Sequence, residues 1–277
     1  MTTDFYITVL GSGAAIPTHA RHCSAQVVNV RGFRMLIDCG EGTQDQIRHC
    51  HQRLQSIELI CISHLHGDHF FGLPGLLSTM HICGRKTPVN IVGPKGIREV
   101  LETVTSASNS HIEFPINYHE LRHPALDDGG SEMVFDGAKC SVHAIALRHS
   151  VDTFGYIVEE KPHGQRVPRR YAYCCDTGYF DGLADRVRDV NLLCMESTFA
   201  NDFADVAADK LHSTAAQAAT VARDANAHEL LLTHFSNRYK SLSIFLDEAT
   251  PIFPSTRTAE DCQSYGVEHR VPQILRL

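Results

Sequence analysis

Ser63-His64-Leu65-His66-Gly67-Asp68-His69 follows directly on an apolar run that begins at Ile57. Three imidazoles and a carboxylate thus fall between positions 64 and 69, at the end of a strand-like segment. Neutral imidazole nitrogen and carboxylate oxygen are the donors zinc prefers, at about 2.0–2.2 Å. Alternate residues of an extended segment point the same way, so His64 and His66 can share one metal. Gly67 then lets Asp68 and His69 turn towards a neighbouring position. A lone histidine in a polar loop is usually incidental. Four ligand-type residues at this density outweigh that reading.

Four residues cannot complete two metal shells, so partners are expected elsewhere in the chain. His149 follows the apolar run 144–147, Asp176 follows 171–175, and His234 follows 230–233. Each ends a strand-like segment, and α/β proteins gather ligands in a crevice at strand ends. A carboxylate such as Asp176 can bridge two metals about 3.5–4 Å apart, the spacing used in two-metal hydrolysis.

Around this motif, short apolar runs alternate with amphipathic stretches, the pattern of an α/β protein. Strands are expected over 5–10, 24–30, 35–38, 57–63, 90–92, 116–121, 133–135, 140–147, 153–158, 192–196 and 229–234. Helices are expected over 73–83, 95–106, 214–226 and 242–249, the last stopped by Pro251 before a polar tail. No repeat or low-complexity linker divides the chain, so residues 1–277 are read as one domain. Within 277 residues, 43% hydrophobic, there is enough material for a core without disulfides. The ten cysteines lack the spacing of a disulfide framework, so reduced thiols in a cytoplasmic protein are expected. The N-terminus reads as a strand instead of a signal peptide, and no run approaches the roughly 18 apolar residues of a membrane span. A net charge of −7 argues against a general polyanion-binding surface but leaves room for a local basic patch. Eighteen histidines are a surplus suited to imidazole chemistry.

Two tempting signals fail. Gly11-Ser-Gly13 starts like a dinucleotide fingerprint, yet Ile16 stands where the third glycine belongs. Cys174-Cys175 are adjacent, which suits two buried thiols better than a redox pair.

Further blocks stand out along the chain. They are Leu10-Gly-Ser-Gly-Ala-Ala-Ile-Pro17, Asp38-Cys-Gly-Glu-Gly-Thr-Gln44 and the histidine motif running into Phe71-Gly-Leu-Pro-Gly-Leu-Leu77. Leu147-Arg-His149, Phe154-Gly-Tyr156, Asp176-Thr177, Glu196-Ser-Thr-Phe199, His212-Ser-Thr214 and Leu232-Thr-His-Phe-Ser-Asn-Arg-Tyr239 follow. With these blocks the chain resembles the ribonuclease Z family (tRNase Z) of the metallo-β-lactamase superfamily, and the resemblance implies an αββα four-layer sandwich with metals in a cleft at the loop-bearing edge. It implies one zinc held by His64, His66 and His149, another by Asp68, His69 and His234, and Asp176 bridging; manganese is an alternative metal. It gives Asp68 the proton of the attacking water, and gives His212, paired with Glu196, the leaving oxygen. Ser236 and Arg238 would contact phosphate. The implied reaction removes 3′ trailers from precursor tRNA, leaving a tRNA 3′-hydroxyl and a trailer 5′-phosphate, and the implied assembly is a homodimer.

One departure stands out. The family's long tRNA-gripping arm lies between the positions of His149 and Asp176, where this chain has only the short basic loop 159–170. Lys161, Arg166, Arg169 and Arg170 could still meet phosphate there, or the loop could be a solvated turn. Met195 and Cys175 also differ from the family's usual His and Gly. The rival readings are a small-molecule phosphodiesterase on the same site and a non-catalytic RNA-binding relative. A β-lactamase or thioesterase would not explain the His212 block.

Overall fold

Successive side chains of strand β3 (Phe33–Ile37) enter different cores. Met35 and Ile37 pack towards a facing sheet, whereas Leu36 packs under helices. Strand β4 (Ile57–Cys61) repeats the pattern, with Leu59 and Cys61 inward and Ile60 outward. A period of two with both faces apolar is what a sheet covered on both sides requires. The computed structural model describes residues 4–122 and 129–269.

The first sheet adds β1 (Phe5–Gly11), β2 (Ala25–Val30), β5 (Val89–Pro94), β6 (Ile116–Leu121) and β14 (Ser264–Gly266), in the order β14-β1-β2-β3-β4-β5-β6. The second contains β7 (Ser131–Asp136), β8 (Cys140–Ala146), β9 (Phe154–Glu160), β10 (Arg170–Cys174), β11 (Leu192–Glu196), β12 (Glu229–Thr233) and β13 (Thr256–Thr258), in the order β13-β12-β11-β10-β9-β8-β7. Helices α1 (Thr43–His49), α3 (Leu73–Ile82) and α4 (Ile97–Ala107) lie over the first sheet; α7 (Ala215–Asp224) and α8 (Ser243–Ala249) lie over the second. The result is the expected αββα sandwich.

Strand direction decides where chemistry collects. β3 and β4 are parallel, as are β10, β11 and β12, so their C-terminal ends share an edge. β8 is antiparallel to β9, which is antiparallel to β10, so β8 also ends there. The two sheets are tied at this edge by hydrogen bonds from Phe154 N to Ser63 O (3.0 Å) and from Tyr156 Oη to Ile62 O (2.7 Å).

Two sequence expectations need correction, and the structure bears on the alternatives left open for loop 159–170. The tail after Pro251 supplies an edge strand to each sheet, β13 beside β12 and β14 beside β1. The cysteines are not all reduced: Cys50 and Cys262 form a disulfide, while the other eight are free. Loop 159–170 is mostly structural, its ends belonging to β9 and β10. Arg169 is 2% exposed and holds Glu160 through Nε (2.8 Å) and Nη2 (2.9 Å), and Asp4 through Nη2 (2.6 Å). Lys161 pairs with Asp136 (2.6 Å), Arg166 lies 3.8 Å from Asp4, and Arg170 donates to Arg188 O (2.7 Å). These cations are engaged within the fold, as in a turn between strands.

Candidate metal centre and its surroundings

The run into His64 is buried because β4 is central in its sheet, and the chain then turns through α2 (Gly67–Phe70), a single helical turn carrying Asp68 and His69. This turn sits against the segment 38–42 with no room for side chains between them. A Cβ on Gly40 would lie 2.2 Å from Asp68 O, and one on Gly72 would lie 2.1 Å from Gly40 O. The two glycines are therefore a steric requirement of the site.

Asp176 stands at the centre. Its Oδ2 faces His64 Nε2 at 3.6 Å and His149 Nε2 at 3.7 Å, while its Oδ1 faces His69 Nε2 and His234 Nε2, both at 3.1 Å. Donor atoms of His64, His66, His149 and Asp176 form one group within 4.8 Å of one another, and those of His69, Cys175, Asp176 and His234 form another. Asp68 Oδ2 lies 3.4 Å from both His69 Nε2 and His234 Nε2, and accepts a hydrogen bond from Ala15 N (2.8 Å). All seven residues read from the sequence as metal ligands thus converge on one cleft. Cys175 was not among them. Its thiol, pushed well up by burial, donates to Asp176 Oδ1 (3.2 Å).

Four imidazoles are anchored through Nδ1, which leaves Nε2 to face the cluster. His69 Nδ1 donates to buried Asp38 Oδ2 (2.7 Å). Ser63 Oγ donates to Asp38 Oδ2 (2.9 Å), so it accepts from His64 Nδ1 (3.0 Å). His149 Nδ1 donates to Leu211 O (3.1 Å). Thr198 Oγ1 donates to Glu196 Oε2 (2.7 Å), so it accepts from His234 Nδ1 (2.9 Å). Anchors of this kind fix the tautomer that a metal ligand needs. Among the described residues, none is a hydrogen-bond partner of the buried His64 Nε2. A buried polar nitrogen so placed costs free energy unless something pairs with it. A divalent cation fits this donor set.

Burial alone would raise Asp176, but His234, His69 and His64 hold its carboxyl well below the usual range. Asp68 is lowered likewise, with His69 and His234 outweighing burial. His64 is pushed well down, first by burial and then by the neighbouring His69. The cluster therefore offers ionised carboxylates and, at His64, a neutral imidazole, the states that ligation needs, whereas Asp176, Asp38 and Asp68 outweigh burial and push His69 well up.

Sequence reading missed Asp38, which accepts from Ser63 N (2.7 Å) and Tyr173 Oη (2.8 Å) besides His69 and Ser63 Oγ. The sequence placed it at the end of an apolar run and at the head of the block Asp38–Gln44, but gave it no role. Asp38, Asp176 and His234 all have positive φ (57°, 49° and 59°). Such backbone costs free energy in non-glycine residues and clusters at functional sites.

Beside the cluster, Glu196 is fully buried. Its Oε1 accepts from His212 Nδ1 and Thr177 N, both at 2.8 Å, and its Oε2 accepts from Thr198 N (3.1 Å) and Oγ1 (2.7 Å). Burial would lower His212, but Glu196 pushes it up to about 9. The His212 ring lies 5.1 Å from that of His149 and 5.6 Å from that of His234. Ser236 is buried near Thr198, whose carbonyl accepts from Ser236 N (3.2 Å). Arg238 is exposed and stands over the rings of Phe203 (5.0 Å) and Phe199 (5.9 Å), with no ion pair among the described residues.

A Beta-lactamase superfamily domain matches residues 33–235. Ribonuclease Z of Bacteroides thetaiotaomicron is 33% identical over an alignment covering 93% of each chain. That of Cytophaga hutchinsonii is 34% identical over 97% of this chain and 98% of its own. The first alignment spans 302 positions against 277 residues here, so that relative carries residues without a counterpart in this chain. The crystal structure of human tRNase Z, short form, superposes with a TM-score of 0.81 at 34% identity, covering 95% of this chain and 100% of that one. Together with the fold and the histidine–carboxylate centre, these matches establish that the chain belongs to the ribonuclease Z family, hydrolytic enzymes of the metallo-β-lactamase fold.

Proposed function

We propose that this enzyme is a zinc-dependent endoribonuclease that removes 3′ trailers from precursor tRNA, leaving a 3′-hydroxyl on the tRNA and a 5′-phosphate on the trailer. The observation that carries the reading is the Glu196–His212 pair beside the metal cluster, because phosphodiester cleavage needs an acid for a poor leaving oxygen. His64, His66 and His149 would hold one ion, Asp68, His69 and His234 a second, and Asp176 would lie between them. Two zinc ions, or manganese in their place, supply Lewis acidity that lowers the pKa of water and clamps charge developing on the phosphate.

The chain's own residues do the rest. Asp68, held by Ala15 N, orients the attacking water and takes its proton. Glu196 keeps His212 protonated, and His212 delivers that proton to the departing O3′ as the P–O3′ bond breaks. A buried carboxylate partner stabilises imidazolium and fixes the ring for this task. Arg238, presented on two phenylalanine rings, and Ser236 contact the phosphate. Family resemblance supports a homodimer acting in the cytoplasm. Among the described residues, no helix is long and apolar enough to cross a membrane.

The engaged cations of loop 159–170 favour one rival, a phosphodiesterase of small substrates that needs no grip on tRNA. Zinc-loaded protein is expected to cleave a 3′-extended tRNA transcript with far higher kcat/KM than bis(p-nitrophenyl) phosphate. An intact transcript alongside cleaved diester would establish the rival instead.

A further inference from the structure

Next to the metal cluster, on the β8 side, lies a cavity of about 540 Å³ whose lining includes Arg148, His149, Asp152, Phe180, Asp181 and Arg186. The volume is within the range of small-ligand sites, about 300–1,000 Å³. His149 belongs to both the cavity and the cluster, so whatever fills the one borders the other. Two guanidinium groups stand over the Phe180 ring, Arg148 at 4.9 Å and Arg186 at 5.2 Å from its centroid. Arg186 is fixed by a hydrogen bond from Nη1 to Ala146 O (2.6 Å). The Arg148 guanidinium is exposed and forms no hydrogen bond or ion pair among the described residues, while its backbone is locked. Arg148 N donates to Thr177 Oγ1 (3.1 Å) and its carbonyl accepts from Gly178 N (2.8 Å). The loop beginning at Asp176 thus holds both the metal cluster and this wall.

We infer that the cavity is a nucleobase pocket for one of the two nucleotides flanking the cut, with Arg148 as the stacking surface; the inference rests on the endoribonuclease reading. A phosphate is a poor occupant, because Asp152 and Asp181 belong to the lining and no hydrogen bond or ion pair engages their carboxylates among the described residues. A base suits all of these features at once. Unpaired bases stack on arginine planes, and their edges offer N–H groups to acceptors. A carboxylate accepts from such an edge and donates nothing, so the pocket prefers bases with exocyclic amino groups over uracil.

The test uses zinc-loaded wild-type protein and Arg148→Ala, with zinc content measured in both, on precursor tRNAs carrying one abasic residue on either side of the cut. At one of these positions, loss of the base is expected to lower wild-type kcat/KM roughly ten- to a hundredfold, the size of one stacked base, and to cost Arg148→Ala little more. Uracil at that position is expected to be the poorest base for wild type, a preference that Asp152→Asn with Asp181→Asn reduces. If abasic replacement costs both proteins alike at both positions, or costs wild type nothing, the pocket is overturned. The wild-type comparison stands even if Arg148→Ala loads zinc badly. Failure of wild type to cut the intact precursor would instead remove the underlying reading, and the pocket with it.

Discussion

Asp38 touches no substrate in the proposed reaction, yet it decides what His69 can do. By accepting from His69 Nδ1 it fixes the tautomer and aims Nε2 at Asp176 and Asp68. Asp38→Ala is expected to lower metal affinity about ten- to a hundredfold, read by competition with a chelator. Unchanged affinity would mean that burial alone orients the ring. His212 has a different role. His212→Ala should keep the wild-type zinc content while kcat falls by roughly 10²–10⁴; loss of zinc would make His212 a ligand instead of the proton donor. These two residues also show what a single sequence reveals. The ligands crowded into 64–69 announce themselves by density, and His149, Asp176 and His234 by ending apolar runs. Asp38 ends an apolar run too, but its partner is 31 positions away, and nothing local distinguishes an anchor from a strand-end acid.

Among the elements, long apolar strands and periodic helices were legible, since burial on both sheet faces writes continuous apolar runs. Strands of three residues were not. Thr-Arg-Thr in β13 and Ser-Tyr-Gly in β14 take their conformation from the neighbouring strands. The Cys50–Cys262 link spans 212 positions, beyond any local signal, and joins the end of α1 to the segment leading into β14. Its reduction by a phosphine is expected to lower Tm, since closing so long a loop restricts the unfolded chain; loops near 100 residues contribute about 4–5 kcal/mol. An unchanged Tm would contradict that role. The hairpin β9–β10 is held by Arg169, and breaking such a buried pair costs about 3–5 kcal/mol. Burial opposes ionisation of Glu160, but Arg169 outweighs it and depresses the pKa; Arg169 lowers Asp4 as well. A depressed carboxylate stabilises the fold above its unfolded pKa, and that contribution is lost as pH falls through the folded value. Urea denaturation should therefore separate wild type from Arg169→Met at pH 7, and the gap should shrink below the ordinary carboxylate range. A gap that persists in acid would assign the effect to packing.

At the scale of the whole molecule, the parallel strand ends of two sheets bring together residues from positions 38 to 234. The candidate metal ligands, the Glu196–His212 pair and the residues proposed to contact phosphate are concentrated at that edge, whereas the basic loop is absorbed into the fold. Electrostatic grip on RNA is thus expected to be modest, and log kcat/KM should fall only gently with log salt, because few phosphates are neutralised away from the cut. A steep slope would reveal a basic surface elsewhere. The most direct test of the account is to incubate zinc-loaded protein with a 3′-extended precursor tRNA and map the chemical ends of both products. The account predicts one cut after the discriminator nucleotide, with a 3′-hydroxyl on the tRNA and a 5′-phosphate on the trailer. A 3′-phosphate on the tRNA fragment, or no cut at all, would contradict it.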